Sequence, residues 1–115
     1  MNPRAIILAT TLVAFPVSGA DYLRDIKPVL KARCFECHGG LKQKAGLRLD
    51  TAANILKGGK GKKVVIPGDP AGSLLLEKID AKNHEERMPP EGKPLTVGQI
   101  ESIRQWIAAG AKAPA

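Results

Sequence analysis

The chain has 115 residues, 18 of them Lys or Arg and 11 Asp or Glu, for a formal net charge of +7. That length excludes a multidomain enzyme, since one compact domain takes ~100–150 residues. Apolar residues make up 43% of the chain, and Gly and Pro together number only 21, which excludes low-complexity and disordered classes.

Residues 1–20 read as a removable export signal. Met1 to Arg4 carries one positive charge, Ala5 to Phe15 is an unbroken apolar or small stretch, and small residues stand at Ser18 and Ala20. Cleavage is expected between Ala20 and Asp21, leaving one domain over 21–115. Eleven apolar residues fall short of the ~17–25 that a spanning helix needs, so no stable membrane span is expected. The mature chain is then expected to work outside the cytoplasm, most simply as a soluble protein of a bacterial periplasm. Without Arg4 it keeps 17 basic against 11 acidic residues. In an exported chain with no recognition motif, that balance argues against nucleic acid. It leaves either plain solubility or the steering of an acidic protein partner. The only aromatics left are Tyr22, Phe35 and Trp106, so the core is small and something else is expected to fill it.

The apolar spacing predicts a helix over 21–33, with Leu23, Ile26, Val29 and Leu30 on its buried side and Pro28 bending or delaying it. This helix ends by delivering Cys34-Phe35-Glu36-Cys37-His38, after which Gly39 and Gly40 release the chain. Both cysteines of the chain fall in this C-x-x-C-H, the signature of covalent c-type haem attachment. Two thiols three positions apart lie on one side of a helical turn and can add to the two vinyl groups of a single haem. The imidazole that follows then reaches the iron as proximal ligand. A zinc ribbon would need four ligands, whereas the chain has one such knuckle and two histidines. A thioredoxin-like pair would open a helix within a βαβ pattern, which is not found here, and a plain disulfide would not require His38. One covalently bound haem c per chain is therefore expected, held by Cys34 and Cys37 with its iron on His38, and the haem becomes part of the core.

Leu47-Arg48-Leu49 is expected as one short extended segment, followed by a short helix over 51–57 with Asp50 as its N-cap and Gly58 and Gly59 as its stop. Lys57 to Lys63 reads as a basic loop without the spacing or Ser/Thr of a phosphate-binding loop. It is either a docking patch for an acidic redox partner or a solvated loop. Val64 to Ile66 is expected to face the core. Asp69 is expected to cap a helix that starts at Pro70 and runs to Ile79, burying Leu74, Leu75 and Leu76. His84 to Pro94 is polar and proline-rich and should not be helical. The last helix has a capping box at Thr96 and Gln99, an apolar stripe of Ile100, Ile103, Trp106 and Ile107, and a stop at Gly110. The two terminal helices are expected to pack on each other and on the haem edge.

What fills the sixth position on the iron separates an electron carrier from a catalyst or gas sensor. Met88 is the one methionine left after the signal is removed, and it sits in a polar loop stiffened by Pro89 and Pro90. His84, four residues earlier, is the competing ligand: a His/His pair lowers the potential, and a His/Met pair raises it. The leading reading is a single-electron carrier with no substrate to transform. The alternative is a peroxidase-like or gas-sensing haem with an open distal site, for which Asn83, His84 and Arg87 are the candidate donors. Arg48 and Arg87 can be read as partners of the haem carboxylates or as surface charges.

A longer set of residues is more specific. Ala32 to Gly39 around the cysteines, Gly46-Leu47-Arg48-Leu49-Asp50, Ile66-Pro67-Gly68-Asp69-Pro70, Ser73-Leu74-Leu75, Arg87-Met88-Pro89-Pro90 and Trp106 to Ala111, in this order, resemble the planctomycete-type cytochrome c domain. The likeness runs from about Tyr22 to Ala113. It implies an all-α, cytochrome c-like fold with terminal helices packed around one covalently attached haem. It also implies thioether links at Cys34 and Cys37, iron ligands at His38 and Met88, and single-electron transfer as the activity. One departure stands at Lys62-Lys63, where many relatives carry Gly-Pro, so the resemblance leaves open a proline carbonyl accepting the proximal imidazole N–H.

Overall fold

The computed structural model describes residues 20–83 and 85–114, so His84 and all of the expected export signal except Ala20 lie outside them. Asp21 opens the first element by accepting the Arg24 N–H on its carboxylate at 2.8 Å. Tyr22–Ile26 then forms a wide π-helical turn that runs directly into helix α1, Lys27–Arg33. Pro28 explains the widening. It has no N–H to give to the Arg24 carbonyl and its ring crowds that carbonyl, and the Lys27 N–H reaches back five residues to Tyr22. Tyr22, Ile26 and Leu30, spaced by four, become the buried face. Leu23, expected on that face, is instead 54% exposed because the widened turn rotates it outward.

Residues 47–49 run extended after a tight turn at Lys44–Gly46. Helix α2 covers Ala52–Lys57, and its N-cap is Thr51, whose hydroxyl accepts the Asn54 N–H at 3.1 Å. Asp50 does not cap because its carboxylate is already engaged. It takes the Arg48 guanidinium at 3.1 and 2.5 Å and the Asn54 side-chain amide at 3.2 Å. Gly58 ends α2 at φ 79°, where a Cβ would run into the Lys62 carbonyl. The basic loop that follows closes as a turn between Gly59 and Lys62.

Val64 and Val65 are buried as expected, whereas Ile66 is 41% exposed. The next helix, α3, is Leu74–Asp80 and starts four residues later than Pro70. Side chains hold residues 66–73 in a compact turn instead. Asp69 accepts the Gly72 N–H at 3.0 Å, and buried Ser73 takes the Ile66 N–H at 2.9 Å while donating to the Asp69 carbonyl at 2.8 Å. No described residue from 85 to 94 is helical. Helix α4, Val97–Ala108, carries the expected capping box, with Thr96 and Gln99 bonded reciprocally at 3.1 and 2.9 Å. Ile100, Ile103, Trp106 and Ile107 are all buried along it.

The described residues form an all-helical globule of four α-helices in which the N- and C-terminal helical segments meet. Helix α4 packs on the π-helical turn and on α3. At the first contact Tyr22 and Trp106 stand with ring centroids 5.5 Å apart, and the Trp106 indole donates to the Lys112 carbonyl at 2.9 Å. This brace fixes α1, and with it the cysteine pair at its C-terminal end. No described helix is long and apolar enough to cross a membrane.

Candidate functional site

Helix α1 ends in one further turn made by the motif itself. The Cys34 N–H donates to Leu30 at 2.8 Å, and the N–H groups of Cys37 and His38 both turn back to the Cys34 carbonyl at 3.2 and 2.9 Å. That turn puts both thiols and the imidazole on one wall of a cavity of about 420 Å³, within the ~300–1,000 Å³ typical of cofactor and ligand sites. The extended segment adds Leu47 and Leu49, and the Leu49 N–H donates to the His38 carbonyl at 2.8 Å. Val64 and three residues of α3, Leu74, Leu75 and Ile79, complete the apolar lining. Met88, Pro89 and Pro90 also line the cavity, with the Met88 N–H held by the Lys78 carbonyl at 2.9 Å.

The cavity therefore gathers Cys34, Cys37, His38 and Met88, four residues expected from sequence to act together. Cys34 and Cys37 are free thiols, and burial pushes the Cys34 thiol up to about 11, with Arg33 opposing the shift. Cys34 is thus a neutral thiol at ordinary pH. Nδ1 of His38 is buried without a hydrogen-bond partner. An imidazole, two thiols and a thioether lining one cavity make a donor set that suits haem iron, and the Nδ1 left without an acceptor is a separate cost of burial. The residues present fit a haem.

Arg48 and Arg87, readable from sequence as partners of the haem carboxylates, do not line the cavity. Arg48 is engaged by Asp50, and Arg87 donates to the carbonyls of Pro89 and Gly92 at 3.4 and 3.1 Å. Of the donors considered for an open distal site, Asn83 and Arg87 stand outside the lining and His84 is not described. The cations that do line the cavity are Arg33, Lys44, Lys60, Lys62 and Lys78, with no acidic residue among the lining. Sequence had marked only the Lys57–Lys63 stretch as basic. Lys44 joins it because the Lys60 N–H donates to the Ala45 carbonyl at 3.2 Å, bringing the two turns together. The alternation of Leu47 and Leu49 about Arg48 was the signal that both leucines face one side.

Residues 34–92 match the family model of planctomycete cytochrome C, a span that begins at the first cysteine and covers half of the chain. The chain belongs to the planctomycete cytochrome C family. Every residue gathered at the cavity apart from Arg33 falls inside the matched span. No curated protein and no solved structure matches the chain. Cytochromes c are typically electron carriers that use haem, so the family implies haem-based electron transfer and redox partners.

Proposed function

We propose that this protein is an exported mono-haem electron carrier in which Cys34 and Cys37 hold the haem by thioether bonds and His38 and Met88 take the two axial positions. When bound, the haem supplies a one-electron ferrous/ferric couple. The convergence of both thiols, the imidazole and the thioether on one apolar cavity carries this reading. Cys34 and Cys37 fix the group to the end of α1, so its orientation is set by the helix. The leucines, Val64 and Ile79 exclude water from it and favour the less charged state of the iron. Met88 offers a neutral, soft ligand that favours ferrous iron and raises the potential. The cavity's basic lining favours a redox partner with an acidic face, because a patch of one sign steers an oppositely charged surface. Residues 1–20 support export, with 21–115 as the working domain and cleavage after Ala20.

The test is the visible spectrum of haem-loaded protein, oxidised and reduced. Covalently retained haem with low-spin spectra and the weak far-red band of ferric iron on thioether sulfur is the expected result. Covalent haem with a high-spin ferric spectrum and rapid cyanide binding would replace this reading with the catalytic or gas-sensing one.

A further inference from the structure

The loop that follows Met88 has little means of bracing itself. Three of its residues, Pro89, Pro90 and Pro94, have no N–H to donate. Among the described residues, the side chains that bond its carbonyls are those of two arginines outside it. Arg87 spans the turn itself, to Pro89 at 3.4 Å and Gly92 at 3.1 Å. The other bond is long-range. Arg33, the last residue of α1 and the neighbour of Cys34, donates through Nη2 to the carbonyl of Lys93, sixty positions further on. Arg33 also lines the cavity and makes none of the ion pairs found among the described residues.

We propose that Arg33 is a positioning residue that latches the Met88–Pro94 loop to the helix carrying the cysteines. The end of α1 builds one part of the cavity lining, and Met88, Pro89 and Pro90 of this loop build another. A planar guanidinium on the first part bonding a carbonyl of the loop fixes their separation. The latch determines how often the loop swings away from the cavity, and therefore how readily a small ligand enters beside Met88. Arg87 shapes the loop, and Arg33 ties the shaped loop down.

The test uses haem-loaded protein carrying Arg33→Gln, Arg33→Lys or, as a control for loss of an exposed charge, Arg24→Gln. Arg24 pairs only with its neighbour Asp25. Hydrogen exchange over residues 88–95 is expected to speed up about threefold to tenfold in Arg33→Gln, the loss of one net hydrogen bond. Exchange in α4 should stay unchanged, and Arg33→Lys should recover part of the difference. Cyanide binding to the ferric protein should accelerate by a similar factor. Equal exchange in Arg33→Gln and Arg24→Gln overturns the latch, and so does a uniform acceleration through α1 and α4. If Arg33→Gln does not load haem, Arg33→Lys decides, and exchange over 88–95 no faster than in the unsubstituted protein refutes the proposal. The cyanide arm rests on Met88 as ligand, whereas the exchange arm does not. A spectrum lacking the sulfur band would remove the ligand reading and leave the latch to be judged by exchange.

Discussion

Replacing Met88 by alanine separates two roles that one side chain could fill. Met88 is 39% exposed, so about three-fifths of it packs against the cavity wall. Trimming it to Cβ removes three heavy atoms, and at ~0.8 kcal/mol for each fully buried group the packing loss comes to ~1.5 kcal/mol. In a domain this small, that loss lowers the unfolding temperature by roughly 6–12 °C. If packing is its only role, Met88→Ala shows this drop and keeps its spectrum and potential. If it is the sixth ligand, the variant also loses the far-red band, turns high-spin when oxidised, binds cyanide faster and has a lower potential. The assays are thermal unfolding followed at the haem band, ferric and ferrous spectra, and potentiometric titration of the same samples. A spectrum and potential identical to those of the unsubstituted protein refute the ligand assignment whatever happens to stability.

Trp106 is 2% exposed, stacks beside Tyr22 and bonds Lys112, so Trp106→Ala should cost ~3–5 kcal/mol in denaturant unfolding. Tyr22→Phe should be neutral or stabilising by up to ~1 kcal/mol, because it keeps the ring and removes a buried hydroxyl without a partner; a clear loss of stability would show that the hydroxyl is bonded. Thr96→Ala opens the capping box of α4 and should cost ~1 kcal/mol by the same measurement. Oxidation of the reduced protein by hexacyanoferrate, a small anion, should slow as salt rises, and neutralising Lys60 and Lys62 to glutamine should slow it at low salt by ~2–5-fold. Neutralising Lys27 and Lys112, which remove the same net charge away from the cavity, should have a much smaller effect; equal effects from both pairs would show that net charge alone governs the rate.

Helix α4 was legible from end to end because each of its signals is local: a reciprocal cap, an apolar stripe at helical spacing and a glycine stop. The first helix was legible in extent and not in its buried face. The effect of Pro28 acts through a carbonyl four residues earlier, and the resulting wide turn exchanges Leu23 for Tyr22. The start of α3 was misplaced for a related reason. Asp69-Pro70 is a good opening for a helix, yet Asp69 and Ser73 bind backbone groups across the intervening turn and hold it non-helical. At both places short-range propensity is overruled by a hydrogen bond or a clash that spacing alone does not reveal.

The site divides along the same line. Cys34, Cys37 and His38 lie within five consecutive residues, and Met88 stood out as the lone thioether outside the expected export signal, so all four could be named from sequence. The basic lining draws on α1, two turns and α3, and the Arg33 bond to Lys93 joins positions sixty apart, so neither exists until the chain folds. The Lys62 carbonyl accepts the Gly59 N–H at 3.0 Å and closes the basic turn, and His38 Nδ1 is buried with no acceptor among the described residues. If His38 is the iron ligand, an imidazole without an outer acceptor is less electron-rich, which favours ferrous iron. On that assignment, the lysines lining the cavity and the unanchored His38 would both push the potential of a bound haem upward.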